Sequence, residues 1–509
     1  MQNKKILLLL FIIFVLALTL RFLYFPNNIY FGFDQARDAF ASLEIVFGEF
    51  RVVGPPTSVD GWFHGPLYYY LYAPLYYLGG GDPKFVAAFL RIINAGTIFL
   101  VFGVGTVIFN KRVGLLSALF FAFSFEQTQY ALYFNHPSLA VVTVTIFYLG
   151  LALLFFKKEP RGLILALAGL GLSIQFEFVL TSLLIPLALL LLIFRKTLPK
   201  INKEVWLLSI LAFALTTATF IAAEIKFHFR SVAVFSNLLS QSGTLEVSLK
   251  QILDNIYLIS HRLVGDNLLS ENSLTGVSLV LLIAISLVLL IKKSSRLKTL
   301  FLVVWFLSGT IPYYNNTTPT PLYYYSVGAS ISLLIGVSFL LTQVWERVNA
   351  AAILLIIIPL ISNLMLITSI NSKGSMSTIN VQSGMLLSDE KKVLDYIYQA
   401  SSGQQFTVYA VTMPFSINTT WSYLFQWYGK GKYSYLPIWG GEAASGYPGN
   451  LQVVTAKSTL PSNRFLIIEP TRGIRDSLIE NILREESYFT KVSHQEKIGD
   501  FIVQKRYPI

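Results

Sequence analysis

The 509-residue chain is 54% apolar and only 13% charged, with 15% aromatic residues carried mainly by 40 Phe and 27 Tyr. An average soluble protein is about a quarter charged, so a string of soluble domains is excluded as the main architecture. The formal charge of +12 sits mostly in short loops between apolar runs, with no basic groove bearing base-stacking aromatics, which excludes nucleic acid as a partner. The chain has no cysteine, so disulfides, thiolate metal sites and cysteine nucleophiles are excluded as well.

In chain order, the first apolar run, about residues 5–24, follows Lys4 and Lys5 and ends in the bulky Arg21-Phe22-Leu23-Tyr24-Phe25. No small-residue cleavage site follows, and the run reads as an uncleaved first span. Further runs of spanning length fall at roughly 85–109, 113–130, 137–156, 161–178, 180–194, 205–223, 274–291, 298–312, 322–342 and 350–369. Alternate loops carry Lys111 and Arg112; Lys157, Lys158 and Arg161; Arg195, Lys196, Lys200 and Lys203; Lys292, Lys293, Arg296 and Lys298; and Arg347. All these clusters fall on one side, which the positive-inside rule makes cytoplasmic.

This pattern predicts an all-α polytopic membrane domain of about eleven transmembrane helices over residues 1–370, in the cell membrane with its N-terminus cytoplasmic. Three segments then face outward: a loop at about 25–84, a loop at about 224–273, and the tail. The tail, 371–509, reads as a small extracytoplasmic α/β domain. Ser388–Ala400 is a helix with a capping-box start at Ser388, and Arg475–Glu486 is a second helix. Phe406–Met413, Phe465–Ile468 and Phe501–Gln504 are strands.

The first outer loop holds the candidate chemistry. Asp34 stands a few residues beyond the first span, preceded by Phe31 and Phe33, in reach of a lipid headgroup. Apolar surroundings raise a carboxylate's proton affinity and suit it to take a proton from an alcohol. The alternative is a helix N-cap, with Asp34 opening the helix that contains Arg37 and Asp38. Trp62-Phe63-His64-Gly65-Pro66-Leu67-Tyr68-Tyr69-Tyr70 follows. Its tyrosines suit an interfacial belt, and His64 is a lone histidine able to bind a substrate or a metal. Arg91 lies inside the next apolar run, where a charge is costly; a lipid phosphate or a structural ion pair would satisfy it. Glu126 and Glu177 stand near span ends as ordinary turn residues. In the second outer loop His261 and Arg262, with Lys226, His228 and Arg230, are either phosphate contacts or exposed loop charge.

The series Arg21…Asp34, then His64-Gly65-Pro66-Leu67-Tyr68, then Leu90-Arg91, then Asn110-Lys111-Arg112-Val113-Gly114 resembles the GT-C membrane glycosyltransferases, over about residues 15–160. The nearest branches are the protein O-mannosyltransferase, aminoarabinose transferase and RgtA/B/C/D-like ones. The resemblance implies a polyprenyl-phosphate sugar donor and transfer on the outer face. It places Asp34 at the family's catalytic acidic position, Arg21 and Arg91 at its arginines, and Tyr323, Tyr324 or Tyr325 near the donor. The chain departs from the pattern in having Asp34-Gln35 where many relatives have Asp-Glu, although Asp38 lies one turn later. It also has no acid in Tyr133-Phe134-Asn135-His136-Pro137, where other branches place a second one.

The resulting expectation is an inverting glycosyltransferase. Asp34 is the base; Arg91, Arg21, His261 and Arg262 hold the donor phosphate; Asp38, His64 and Tyr323, Tyr324 and Tyr325 contact substrate. No cofactor is expected, because arginine suffices to neutralise the leaving phosphate, and His64 alone does not support a metal. The partners are the lipid bilayer, the lipid-linked donor, and an acceptor that is a protein, a lipid or a glycan. A transporter or flippase of polyprenyl-linked sugar is the rival reading, and would call for inverted repeats and broken helices at the midplane.

Overall fold

The computed structural model describes residues 3–57, 59–234, 248–313, 322–376, 379, 382–442, 445–449, 451–454, 459–470 and 474–509. It opens with α1 (Asn3–Phe22), two helices of the first long loop, α2 (Phe33–Val46) and α3 (Leu67–Leu78), and the long α4 (Pro83–Ile108). Then come α5 (Lys111–Phe123), α6 (Phe125–Leu132), α7 (His136–Ala152), α8 (Gly162–Phe176), α9 (Leu184–Phe194), α10 (Lys203–Thr216) and α11 (Ala218–Lys226). Five further helices, Leu249–Gly265, Asn272–Ile291, Arg296–Ser308, Ser330–Trp345 and Asn349–Ile370, precede the tail.

Among the described residues, six helices are long and apolar enough to cross a membrane, and a seventh span forms if α10 and α11, bent by 54°, are taken together. The helix α8 and the helix Ser330–Trp345 are apolar but shorter. The expected run 113–130 is broken at Ser124, whose hydroxyl accepts the Gln127 amide and so starts α6 afresh. Small residues let α7 and α8 approach closely: a Cβ on Gly150 of α7 would fall 2.4 Å from the Ala166 amide of α8.

The tail carries a six-stranded sheet in the order β3-β2-β1-β4-β6-β5, made of β1 (Thr407–Val411), β2 (Ile438–Trp439), β3 (Gln452–Val453), β4 (Arg464–Ile468), β5 (Thr490–Ile498) and β6 (Phe501–Pro508). The first four are parallel and the last two pair antiparallel. β4 is buried along its whole length, as expected of a strand covered on both faces. The helix Leu387–Ala400 starts one residue before the expected Ser388. Leu386 is its cap, and the Ser388 hydroxyl instead donates to the Asn27 carbonyl at 3.0 Å, so there is no capping box with Lys391.

That contact belongs to a seam between the tail and the first long loop. The Phe31 amide donates to the Met385 carbonyl and the Leu387 amide to that of Ile29, both at 2.9 Å. The ring of Tyr423 packs on Phe31 and Phe40, and its hydroxyl donates to the Gly81 carbonyl at 2.5 Å. One hydrophobic core therefore runs without a break from the membrane helices into the tail.

Near this seam lie two buried carboxyls. Both oxygens of Glu390 lack partners, whereas Glu469 accepts from Trp421, Gln382 and the Met413 amide. Burial pushes Glu469 up to about 7, and burial, then the charge of Glu469, pushes Glu390 up as well. A raised carboxyl pKa makes its stabilisation full below the unfolded value of 4.5 and lost as pH rises through about 7. Thermal unfolding in detergent should therefore show the wild-type Tm falling across that window, with Glu469→Gln flattening the fall. A wild-type Tm flat over the window, or a variant that falls as steeply, contradicts this.

Candidate active site

The helix α2 starts where Gly32 serves as N-cap, its amide donating to the Gln35 side-chain oxygen at 3.1 Å. Asp34 is thus the second residue of the helix and does not cap it, which corrects the N-cap alternative. It stands in the first turn, where the helix dipole favours a negative charge. Arg37, one turn on, bridges Asp34 at 2.7 Å and Asp38 at 2.8 Å, with its guanidinium over the Phe33 ring at 5.6 Å.

The two acids differ sharply. The Asp34 side chain is 41% exposed, whereas that of Asp38 is 4% exposed. Tyr69 donates to Asp38 at 3.4 Å, and the second Asp38 oxygen has no partner. Burial pushes Asp38 up to about 6 against the opposing charge of Arg37. Gln35, where many relatives have a second acid, is buried and spans the cap and the Phe134 carbonyl. A carboxylate in its place would lose the donated bond to Phe134 and bury a charge.

The wall facing α2 is the segment before α7. Asn135 caps α7 through the His136 amide and donates to the Tyr133 hydroxyl at 2.8 Å. Tyr133 stacks with Tyr324 at 6.3 Å between ring centroids. Burial, then the nearby charge of Asp34, holds the Tyr133 phenol above its usual range. Asp34, Asp38, Tyr133 and Tyr324 thus share one site. Tyr323 turns the other way, donating to Asp266 at 3.0 Å, and Tyr325 packs against Tyr313.

Of the four expected phosphate contacts, Arg262 stands with Tyr323 and not with Asp34 or Asp38. It lies over the Tyr323 ring at 4.3 Å, bonds Ser326, and keeps an unpartnered Nε. His261 instead meets the Asn272 carbonyl and the Tyr257 ring. Arg21 and Arg91 are both fully buried. Arg21 donates to the Asn94 side chain and to the carbonyls of Ala17, Phe121 and Ala122; Arg91 donates to the carbonyls of Arg21 and Ala87 and to Asn28. Among the described residues neither meets a carboxylate, and every guanidinium nitrogen has a protein oxygen. Both are structural braces in this arrangement, which corrects the phosphate expectation and the ion-pair alternative for Arg91.

His64 is brought in by a close approach of two chain segments. The Gly65 amide donates to the Gln175 carbonyl, and a Cβ on Gly65 would fall 1.9 Å from the Gln175 side chain. His64 thereby meets His136, with ring centroids 4.1 Å apart, and Glu177 at 3.6 Å. His136 and Glu177 carry no local sequence signal, because positions 64, 136 and 177 come together only through the fold.

Residues 63–221 match the family model of the dolichyl-phosphate-mannose-protein mannosyltransferases. The crystal structure of ArnT from Cupriavidus metallidurans superposes with a TM-score of 0.60, covering 99% of this chain and 98% of that one. The chain has the fold of the GT-C membrane glycosyltransferases, and the family-model match covers less than a third of it. At 11% identity the likeness to ArnT is one of fold. The GT-C fold is also shared with the oligosaccharyltransferase of Archaeoglobus fulgidus, at a TM-score of 0.50 and 12% identity. That match covers 82% of this chain and 63% of the larger enzyme. No curated protein matches the sequence.

The brace makes a direct prediction. Arg91→Ala strands the buried Arg21 carbonyl and the Asn28 side chain, each worth about 1–3 kcal/mol when left unsatisfied. A clear loss of Tm is expected, with donor affinity unchanged in the protein that stays folded. Weakened donor affinity at an unchanged Tm would return Arg91 to the phosphate.

Proposed function

We propose that this GT-C enzyme transfers a sugar from a polyprenyl-phosphate donor to a hydroxyl of an extracytoplasmic acceptor, with inversion at the anomeric carbon. The observation that carries the reading is the pair of unlike acids joined by Arg37 at the head of α2: a half-exposed Asp34 beside a buried Asp38. Asp34 accepts the proton of the acceptor hydroxyl as that oxygen attacks the anomeric carbon. The bond from that carbon to the phosphate oxygen breaks, and the polyprenyl phosphate leaves with the electron pair. Arg37 holds Asp34 in place, and Asp38 fixes Arg37 from below, so Asp38 is a positioning residue.

Support for the lipid-linked donor comes from two sides. ArnT, which shares the fold over nearly its whole length, was crystallised bound to undecaprenyl phosphate. Here an apolar cavity of about 430 Å³ runs between Tyr257 and Val264 at one end and Phe109 at the other, lined by four helices, which suits an isoprenoid chain. Arg262, with its free Nε, is the phosphate contact in this reading. Tyr324 borders the sugar. No cofactor step is invoked.

The test is a pair of isosteric substitutions. Asp34→Asn keeps size but removes the proton acceptor, so turnover should fall roughly 10²–10⁴-fold while the protein folds and binds donor. Asp38→Asn should cut turnover less and loosen the fold more, because it unbalances buried Arg37. Normal turnover in Asp34→Asn with a dead Asp38→Asn would move the base one helical turn. Full activity in both would sink the mechanism.

A further inference from the structure

The tail is seated at the head of a membrane span. At 1.5 Å per residue, the 26 residues of α4 extend about 39 Å, against about 30 Å for a hydrocarbon core. Its charged first turn, with Asp82 as cap and Lys84 paired to it at 2.8 Å, therefore stands among lipid headgroups. Phe85, the next residue, is exposed, as are Tyr77 and Leu78 at the end of α3. Tyr423 and Trp427 of the tail come down onto the turn between α3 and α4: the Tyr423 hydroxyl donates to the Gly81 carbonyl, and a Cβ on Gly81 would fall 2.8 Å from the Trp427 ring. We propose that the tail surface around Trp427 binds anionic lipid headgroups of the leaflet that α4 enters.

The side chains around Trp427 are lysines and aromatic rings. Lys391, in the helix Leu387–Ala400, lies over the Trp427 and Tyr428 rings at 5.7 and 4.6 Å. Lys432 lies over the Tyr428 and Tyr433 rings at 5.2 and 5.4 Å. The charges of Asp82, Lys84, Asp395 and Lys432 all act on Lys391, so the head of α4 and these tail residues form one patch. Lys430, in the turn after Trp427, is exposed.

The acids of the patch are already engaged. Asp82 holds Lys84, Asp389 holds Lys392 at 2.7 Å, and Asp395 holds Lys432 at 2.9 Å while accepting from the hydroxyls of Tyr428 and Tyr433. Among the described residues Lys391 and Lys430 form no ion pair, and their two charges stay unbalanced. An ammonium resting on aromatic faces still has N–H donors to offer a phosphate. Tyr and Trp rings settle at headgroup level, and lysines beside them attract anionic lipid. The height of the patch, set by α4, selects lipid over an acidic protein, which would have to sit where the headgroups stand. Trp427 packs on Tyr423, whose ring lies against Phe40 of α2, so lipid held here steadies the tail segment that meets α2.

The test reads contact with lipid, not turnover, so its failure leaves the role of Asp34 untouched. The chain has no cysteine, so Gln426→Cys, at an exposed position beside Trp427, can carry a fluorophore. Labelled full-length protein in phosphatidylcholine nanodiscs is exposed to a trace of phosphatidylcholine or phosphatidylglycerol, each spin-labelled near its headgroup. Both should quench the probe. Phosphatidylglycerol should quench more strongly, its local excess being roughly fivefold for each unpaired lysine. Lys391→Gln with Lys430→Gln should make the two lipids equal, whereas Lys391→Arg with Lys430→Arg should keep the preference. Should a variant misfold, the comparison of lipids on the protein with native lysines still decides. A probe quenched by neither lipid would mean that the patch faces solution, where an acidic protein could meet it, and would overturn the proposal. Equal quenching by both lipids with the native lysines, or a preference undiminished in the folded glutamine variant, would overturn it as well.

Discussion

The arrangement of the site depends on burying two guanidinium groups without a counter-ion. Such a group survives only if its nitrogens find acceptors, and each nitrogen of Arg21 and Arg91 finds one, several of them on other helices. Arg21 reaches from the end of α1 to the last carbonyls of α5 and to Asn94 of α4; Arg91 reaches from α4 back to the Arg21 carbonyl and to Asn28. Asn28 in turn donates to the Asn371 carbonyl, where the last membrane helix ends. The first long loop therefore starts from a fixed point at the end of α1, and Asp34 follows a few residues later.

From that anchor the chain builds its acid site by unequal burial. One face of α2 packs on the Phe134 segment and the tail, which sinks Asp38 and Gln35 and leaves Asp34 open to the cleft. Arg37 lies between the acids and prevents their charges from repelling across the same turn. The tail is part of this construction, because its backbone pairs with residues 29–31 and Tyr423 packs on α2. Its contribution to the site is the fixed tilt of α2.

Much of the fold was legible in the sequence because hydrophobic runs and turn residues are local signals. The tail helix at 387–400 and the strands at 407–411, 464–468 and 501–508 overlap the stretches where helical spacing and the strand pattern predict them. The short β2 and β3, of two residues each, are too brief to leave a pattern. Asp34 was singled out from its place beside an apolar span, Asp38 as the acid one turn later, and Tyr324 only through the family resemblance, and the fold brings the three near one another. The arginines show the limit of that reasoning. A charge inside an apolar run signals a task but not which one, and here the task is hydrogen bonding to carbonyls. Ser388 fails as a cap for a related reason: its hydroxyl finds a tertiary acceptor, Asn27, that no local pattern reveals. His136 and Glu177 were invisible because a three-dimensional cluster drawn from three segments has no linear spacing.

The central claim is that this membrane protein breaks the bond between a sugar and a lipid phosphate, and does not merely move the intact lipid. Sealed proteoliposomes containing wild-type protein and a polyprenyl-phosphate sugar, labelled in the sugar, distinguish the two when supplied with an extract rich in acceptor hydroxyls. The account predicts label leaving the lipid phosphate, with one free polyprenyl phosphate formed for each sugar transferred. Label that crosses the bilayer while still joined to its lipid, with no polyprenyl phosphate released, would contradict it.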